Sequence, residues 1–278
     1  MRTAKLGAIR IGLAVVALAM LLAAASGLGT ARAQEATPGA TPEGTPMPSD
    51  CTADLGIVRS AKTCVAVVHA APDAPAVDVY VDGMLFVEGL AFGEASRHAD
   101  VPAGTHRLQV VEAGGDVANA LLDVPALELV AGRAYEVAVL GGRDALTAGV
   151  YDVDVYAIPG DAFAGMTRVR VVHAAPDAPP LDVSLVGGDI AQRLDAGLAF
   201  PDAGSYRELS AGTYRLLLNV AETGEAVLNV PSVSFERDTV YGVYAVGRVD
   251  DGSLRLLLVA ARASRLPAPA TPAASPTA

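Results

Sequence analysis

The chain has 278 residues, 52% hydrophobic and 18% charged, a composition that excludes wholesale disorder and fits one or two globular domains. Its 31 acidic and 20 basic residues give a formal charge of −11. No nucleic-acid partner is expected, because such binding relies on clustered Lys and Arg to neutralise phosphates.

Arg2, Lys5 and Arg10 precede an apolar run over residues 11–25, and Ala31-Arg32-Ala33 has the small-x-small form cut by signal peptidase before Gln34. Residues 1–33 therefore read as a cleaved secretory signal. The alternative is an uncleaved anchor, since residues 9–28 reach the roughly 20 needed to span a bilayer. After cleavage no membrane span is expected. Removing residues 1–33 takes away four basic residues and no acidic one, leaving a net charge of −15. Such a chain stays soluble and is not drawn to anionic surfaces.

Residues 34–50 form a Thr/Pro-rich linker and residues 265–278 a Pro/Ala-rich tail, both without the apolar periodicity that would bury them. Cys51 and Cys64 are the only cysteines, and an even count in an exported chain predicts a disulfide between them. Redox or metal chemistry would call for a closer Cys-x-x-Cys or added His ligands.

The segment VVHAAPDAPAVDVYVDG from Val67 recurs as VVHAAPDAPPLDVSLVGG from Val171, an offset of 104. The echo continues through Leu90-Ala91-Phe92 and Leu198-Ala199-Phe200, Val124-Pro125 and Val230-Pro231, and Tyr135 and Tyr241. Two tandem domains are expected, over residues 51–160 and 165–264. Short alternating segments broken by Gly, Pro and Asp predict an all-β fold of two immunoglobulin-like antiparallel β-sandwich domains. Strands are predicted at 65–70, 77–81, 105–111, 134–140 and 149–156, and again at 169–174, 181–186, 213–220, 240–246 and 254–260. In the second of these, Val77, Val79 and Val81 take the core face, with Asp78 and Tyr80 opposite. Asp82-Gly83 and Asp251-Gly252 are hairpin signals.

VVHAAPDAPAVDVYVDG, followed by LAFGEASRHADVPAGTHRLQVVEAG from Leu90, resembles the bacterial family called domain of unknown function 4397. The second copy departs from the pattern where Leu209-Ser210-Ala211-Gly212-Thr213-Tyr214 replaces Val-Pro-Ala-Gly-x-His. The resemblance implies exported or envelope-associated β-sandwich modules and brings no activity, ligand or cofactor with it.

His69 with Asp73, repeated as His173 with Asp177, is the pair that most resembles half of an acid–base system. A nucleophile is missing: Ser96 corresponds to Gly204, Cys64 to Arg168, and there is no Gly-x-Ser-x-Gly or His-Glu-x-x-His. The expected role of each His is to brace the Pro-Asp-Ala-Pro turn. Asp73, Asp78 and Asp82 could suggest calcium, but the second copy offers Asp177, Asp182 and then Val186. No metal site, catalytic residue or cofactor is expected. Without Trp, and with Tyr135 and Tyr241 in apolar strands as core or corner tyrosines, glycan binding has little support. The function expected is that of a non-catalytic exported module with a structural or protein-contact role, its partner an unspecified envelope or extracellular protein. The alternative is an extracytoplasmic ligand-binding protein or hydrolase built on the His/Asp turns.

Overall fold

The computed structural model describes residues 51, 61–142, 144–154, 165–187 and 190–262. The expected leader, linker and tail lie outside these residues.

The first repeat contains β1 (Lys62–His69), β2 (Val77–Val81), β3 (Met84–Leu90), β4 (Ala99–Pro102), β5 (Gly104–Glu112), β6 (Leu122–Leu129), β7 (Ala134–Gly142) and β8 (Ala145–Val153). The second repeats the order as β9 (Met166–Ala174), β10 (Leu181–Gly187), β11 (Ile190–Leu198), β12 (Arg207–Ser210), β13 (Gly212–Val220), β14 (Ala226–Phe235), β15 (Thr239–Val246) and β16 (Arg255–Arg262). Each repeat builds two four-stranded sheets. They run β4-β1-β7-β8 and β3-β2-β5-β6 in the first, and β12-β9-β15-β16 and β11-β10-β13-β14 in the second. The all-β sandwich class is therefore present twice. One pair per repeat, β1 with β7 and β9 with β15, is parallel; the other pairings are antiparallel.

Alternation accounts for each core. Val77, Val79 and Val81 of β2 point inward to meet Val65 and Val67 of β1 and Tyr135, Val137 and Val139 of β7. In the second repeat Leu181, Val183 and Leu185 meet Val169, Val171, Tyr241 and Val243. Asp78 departs from the simple pattern by being buried, at 4% exposure. Its carboxylate accepts Gly89 N at 2.7 Å and Gly114 N at 2.8 Å. The first of these bonds sits where the β2–β3 register shifts, so the aspartate satisfies an amide that the irregular ladder leaves without a strand partner; the second holds the turn that follows β5. Asp182 does the same for Gly197 N at 2.9 Å.

Asp82-Gly83 forms the expected two-residue hairpin, with φ of 52° and 78°, the left-handed pair that a tight turn between twisted strands demands. Asp251-Gly252 does not. It lies inside the longer loop between Val246 of β15 and Arg255 of β16, where Asp251 accepts Ser253 N at 2.8 Å.

Cys51 and Cys64 are joined by a disulfide, Cα atoms 5.8 Å apart, which ties the chain ahead of β1 to that strand. Reducing it is expected to lower stability by about 3 kcal/mol, the value for closing a loop of this length. Denaturant unfolding with and without reductant measures the difference, and equal midpoints would contradict it.

Candidate functional site

Each motif histidine lies at the C-terminal end of a strand, last in β1 and last but one in β9, and turns inward. His69 is fully buried; its Nδ1 accepts Ala71 N at 3.4 Å, and its Nε2 lies 2.9 Å from the Pro75 carbonyl oxygen. A nitrogen that accepts cannot carry the hydrogen, so the ring is the Nε2–H tautomer and donates to Pro75. His173 repeats the arrangement with Ala175 N at 3.4 Å and Pro179 O at 3.2 Å. Phe92 and Phe200 meet the two rings edge to face, with centroids 6.2 and 6.1 Å away. Burial lowers the pKa of both imidazoles, the backbone bonds only partly opposing it. Proline carbonyls make suitable acceptors here because the turn's geometry presents them without a competing strand.

The motif aspartates point elsewhere. Asp73 Oδ2 accepts from Arg248 Nη1 at 3.0 Å, and Asp177 accepts Val249 N at 2.9 Å and Asp250 N at 3.0 Å. Both aspartates therefore hold the loop between β15 and β16, one from each repeat. Arg248 also pairs with Asp250 at 2.8 Å, and these carboxylates keep its guanidinium firmly protonated. The sequence pairs each His with an Asp four residues on, but the structure sends them to different partners. Fully buried rings whose hydrogen bonds go to backbone groups present no free base to a substrate.

The three acidic residues considered for calcium are likewise spread among donors. Asp73 takes Arg248, Asp78 takes two amides, and Asp82 accepts from Arg107 N at 2.9 Å and lies 2.6 Å from His106 Nδ1. Among the described residues one cluster has metal-ligand spacing, that of Cys51, Cys64 and Asp100, and the disulfide has consumed its thiolates.

The second copy's departure from Val-Pro-Ala-Gly-x-His has a structural equivalent. His106 Nε2 lies 2.8 Å from Pro102 O, and Tyr214 OH donates to Ser210 O at 2.7 Å. Different side chains tie the same strand connection. Tyr135 and Tyr241 are corner tyrosines whose hydroxyls each accept a backbone amide, Val130 N at 3.2 Å and Glu236 N at 3.1 Å. Both edge strands β6 and β14 carry a proline, Pro125 and Pro231, which removes a donor and blunts the edge against further pairing.

A buried polar group centred on Glu136 is one that the sequence reading missed. β1, β7, β9 and β15 are buried on both faces. Their outer residues, including Val68, Ala138, Leu140, Val172, Tyr244 and Val246, form a third core between the repeats. Glu136 lies at its centre with no exposed surface. Glu136 Oε2 accepts from Tyr244 OH at 2.6 Å and stands 3.5 Å from Arg170 Nη2. Arg170 donates to Asp152 O at 2.9 Å and stacks over Tyr206, with its guanidinium carbon 4.7 Å from the ring centroid. Tyr151 OH crosses the joint to Pro201 O at 2.6 Å. Burial raises the Glu136 pKa, while Arg170 and Tyr244 pull it down. The available signal was the nearly continuous apolar run of AYEVAVL, broken only by Glu136, and of TVYGVYAV, which marks strands covered on both sides.

The family whose description is "domain of unknown function" (DUF4397) matches residues 63–184 and 167–271. The chain belongs to this family. The two matches together span the described β-strands, so the family's pattern covers both repeats and agrees with the two tandem copies read from the sequence. No curated protein is similar in sequence to this DUF4397 chain. Among solved structures, it is similar to a family 26 carbohydrate-binding module of Eubacterium rectale Amy13K in complex with maltoheptaose, at 12% identity over 70% of this chain and 95% of that one, with a TM-score of 0.24. It is also similar to a proposed cell-adhesion protein of Bacteroides uniformis, at 11% identity over 74% and 100%, TM-score 0.22. A proposed cell-adhesion protein of Bacteroides eggerthii gives 12% over 73% and 96%, TM-score 0.18. At these scores no property of those proteins carries over. Among the described residues of the DUF4397 chain, no helix is long and apolar enough to cross a membrane.

Proposed function

We propose that this chain is an exported, non-catalytic β-sandwich protein that serves the cell envelope structurally or through contact with an envelope or extracellular protein. The observation that carries the reading is the complete burial of His69 and His173, each hydrogen-bonded to the backbone of its own turn. The most enzyme-like motif in the sequence is thus used to fold the chain. Export is supported by the signal-like residues 1–33 and by a disulfide, which persists in oxidising compartments.

Replacing His69 or His173 with alanine is expected to cost on the order of 1–3 kcal/mol, through the amide and carbonyl left without a partner. The melting temperature should fall in each variant. Replacing exposed Arg97 should change stability by less than about 0.5 kcal/mol. Thermal unfolding of the full chain, run beside a panel of ester, phosphoester and glycoside substrates, tests the reading. A His69→Ala chain as stable as the parent, with turnover present in the parent and absent in the variant, would overturn it. Intact mass of the exported protein is expected to begin at Gln34; a mass that includes residues 1–33 would point to an anchor.

A further inference from the structure

The faces that meet at the joint occupy equivalent places in the two repeats but carry unlike side chains. With Tyr135 aligned to Tyr241, Glu136 corresponds to Gly242 and Ala138 to Tyr244, while the offset of 104 pairs Ala66 with Arg170. Each large or charged residue has a small counterpart. Glu136 fills the space over Gly242, where an added Cβ would come within 2.5 Å of its Oε2. Tyr244 and Arg170 reach that same carboxylate from the second repeat.

Two first-repeat faces brought together would bury two carboxylates, with no Arg to meet them and with Ala138 in the place of Tyr244. Two second-repeat faces would bury two guanidinium groups with no Glu136 between them. Burying a charge without its partner is strongly unfavourable, and a surface discriminates as much by such penalties as by its attractions. We infer that the joint is a heterotypic pairing surface: the Glu136 face of the first repeat recognises a face presenting Arg, Gly and Tyr at these three places, and rejects a copy of itself. The partner it fits is the second repeat. The two repeats then unfold as one body, and copies of the chain do not assemble through like faces.

The test converts one face into the other in the full chain. Arg170→Ala, Gly242→Glu and Tyr244→Ala together give the second repeat the first repeat's residues; Ala66→Arg, Glu136→Gly and Ala138→Tyr do the reverse. Calorimetry counts the transitions, and tetranitromethane reports on Tyr151, which lies at the joint, against Tyr135 and Tyr241, which lie in the two separate cores. The parent should unfold in one transition with Tyr151 unreactive. Either triple variant should split the transition in two and expose Tyr151 to nitration while Tyr135 and Tyr241 stay protected. Combining all six changes exchanges these three places between the faces and should restore the single transition and the protection of Tyr151. Two transitions in the parent, a triple variant that stays coupled, or a six-fold variant that does not recover would each overturn the inference. The recovery also separates lost pairing from a repeat that has simply failed to fold.

Discussion

Replacing Arg170 with alanine is expected to destabilise the chain by about 3–5 kcal/mol, the cost of leaving a buried carboxylate without its cation. The size follows from burial. Glu136 has no exposed surface, and Arg170 is 6% exposed, so water cannot replace the missing guanidinium. Arg170 also holds Asp152 O and covers Tyr206, so the variant loses packing and a hydrogen bond as well as charge. A double variant, Glu136→Leu with Arg170→Met, removes both charges at similar volume and should lie much closer to the parent. Urea unfolding of parent, single and double variants gives the coupling directly. A double variant that loses as much as the sum of its parts would show that the two residues do not act as a pair.

Acidification is expected to weaken the protein mainly through its histidines. His69, His98 and His173 all have pKa values lowered by burial, that of His98 to about 4. The unfolded chain binds these protons near pH 6.5 and the folded chain does not, so stability is fully present above 6.5 and is lost as pH falls below it. For His98 the loss continues until about pH 4 and amounts to about 3 kcal/mol. No hydrogen-bond partner is present for His98 Nε2 among the described residues, which leaves desolvation unopposed. Glu136 works in the other direction, since its raised pKa makes the folded chain take up a proton before the unfolded one does. Denaturant midpoints between pH 7.5 and 4 measure the net slope. A His98→Gln variant should flatten it, and a slope unchanged by that substitution would refute the assignment to His98.

The His/Asp turn was legible in the sequence as a motif, and its histidines as braces, but the destinations of Asp73 and Asp177 were not. Both carboxylates reach residues 248–250, at least 70 positions downstream, and no local pattern reports a partner so distant. Calcium was a reasonable question for Asp73, Asp78 and Asp82 because spacing counts residues. It does not reveal that each carboxylate is already held by an arginine, by backbone amides, or by His106 with an amide.

The sequence by itself determined the repeat, the sandwich class, the disulfide pair and the strands with a strong pattern. Most of the predicted strands are interior strands, whose burial on one or both faces imposes alternating or continuous apolar residues. The six it missed, β3, β4, β6, β11, β12 and β14, all lie at sheet edges. An edge strand such as β3, with residues MLFVEGL largely exposed or half-exposed, is held by one neighbour and answers to weaker constraints on side-chain type. Only the tertiary structure decided that the two repeats share a third core and that Glu136, Arg170 and Tyr244 meet in it. Arg170 and Tyr244 lie 34 and 108 positions from Glu136 along the chain. What selects them is the fit between two folded faces, which exists only once both sandwiches have formed.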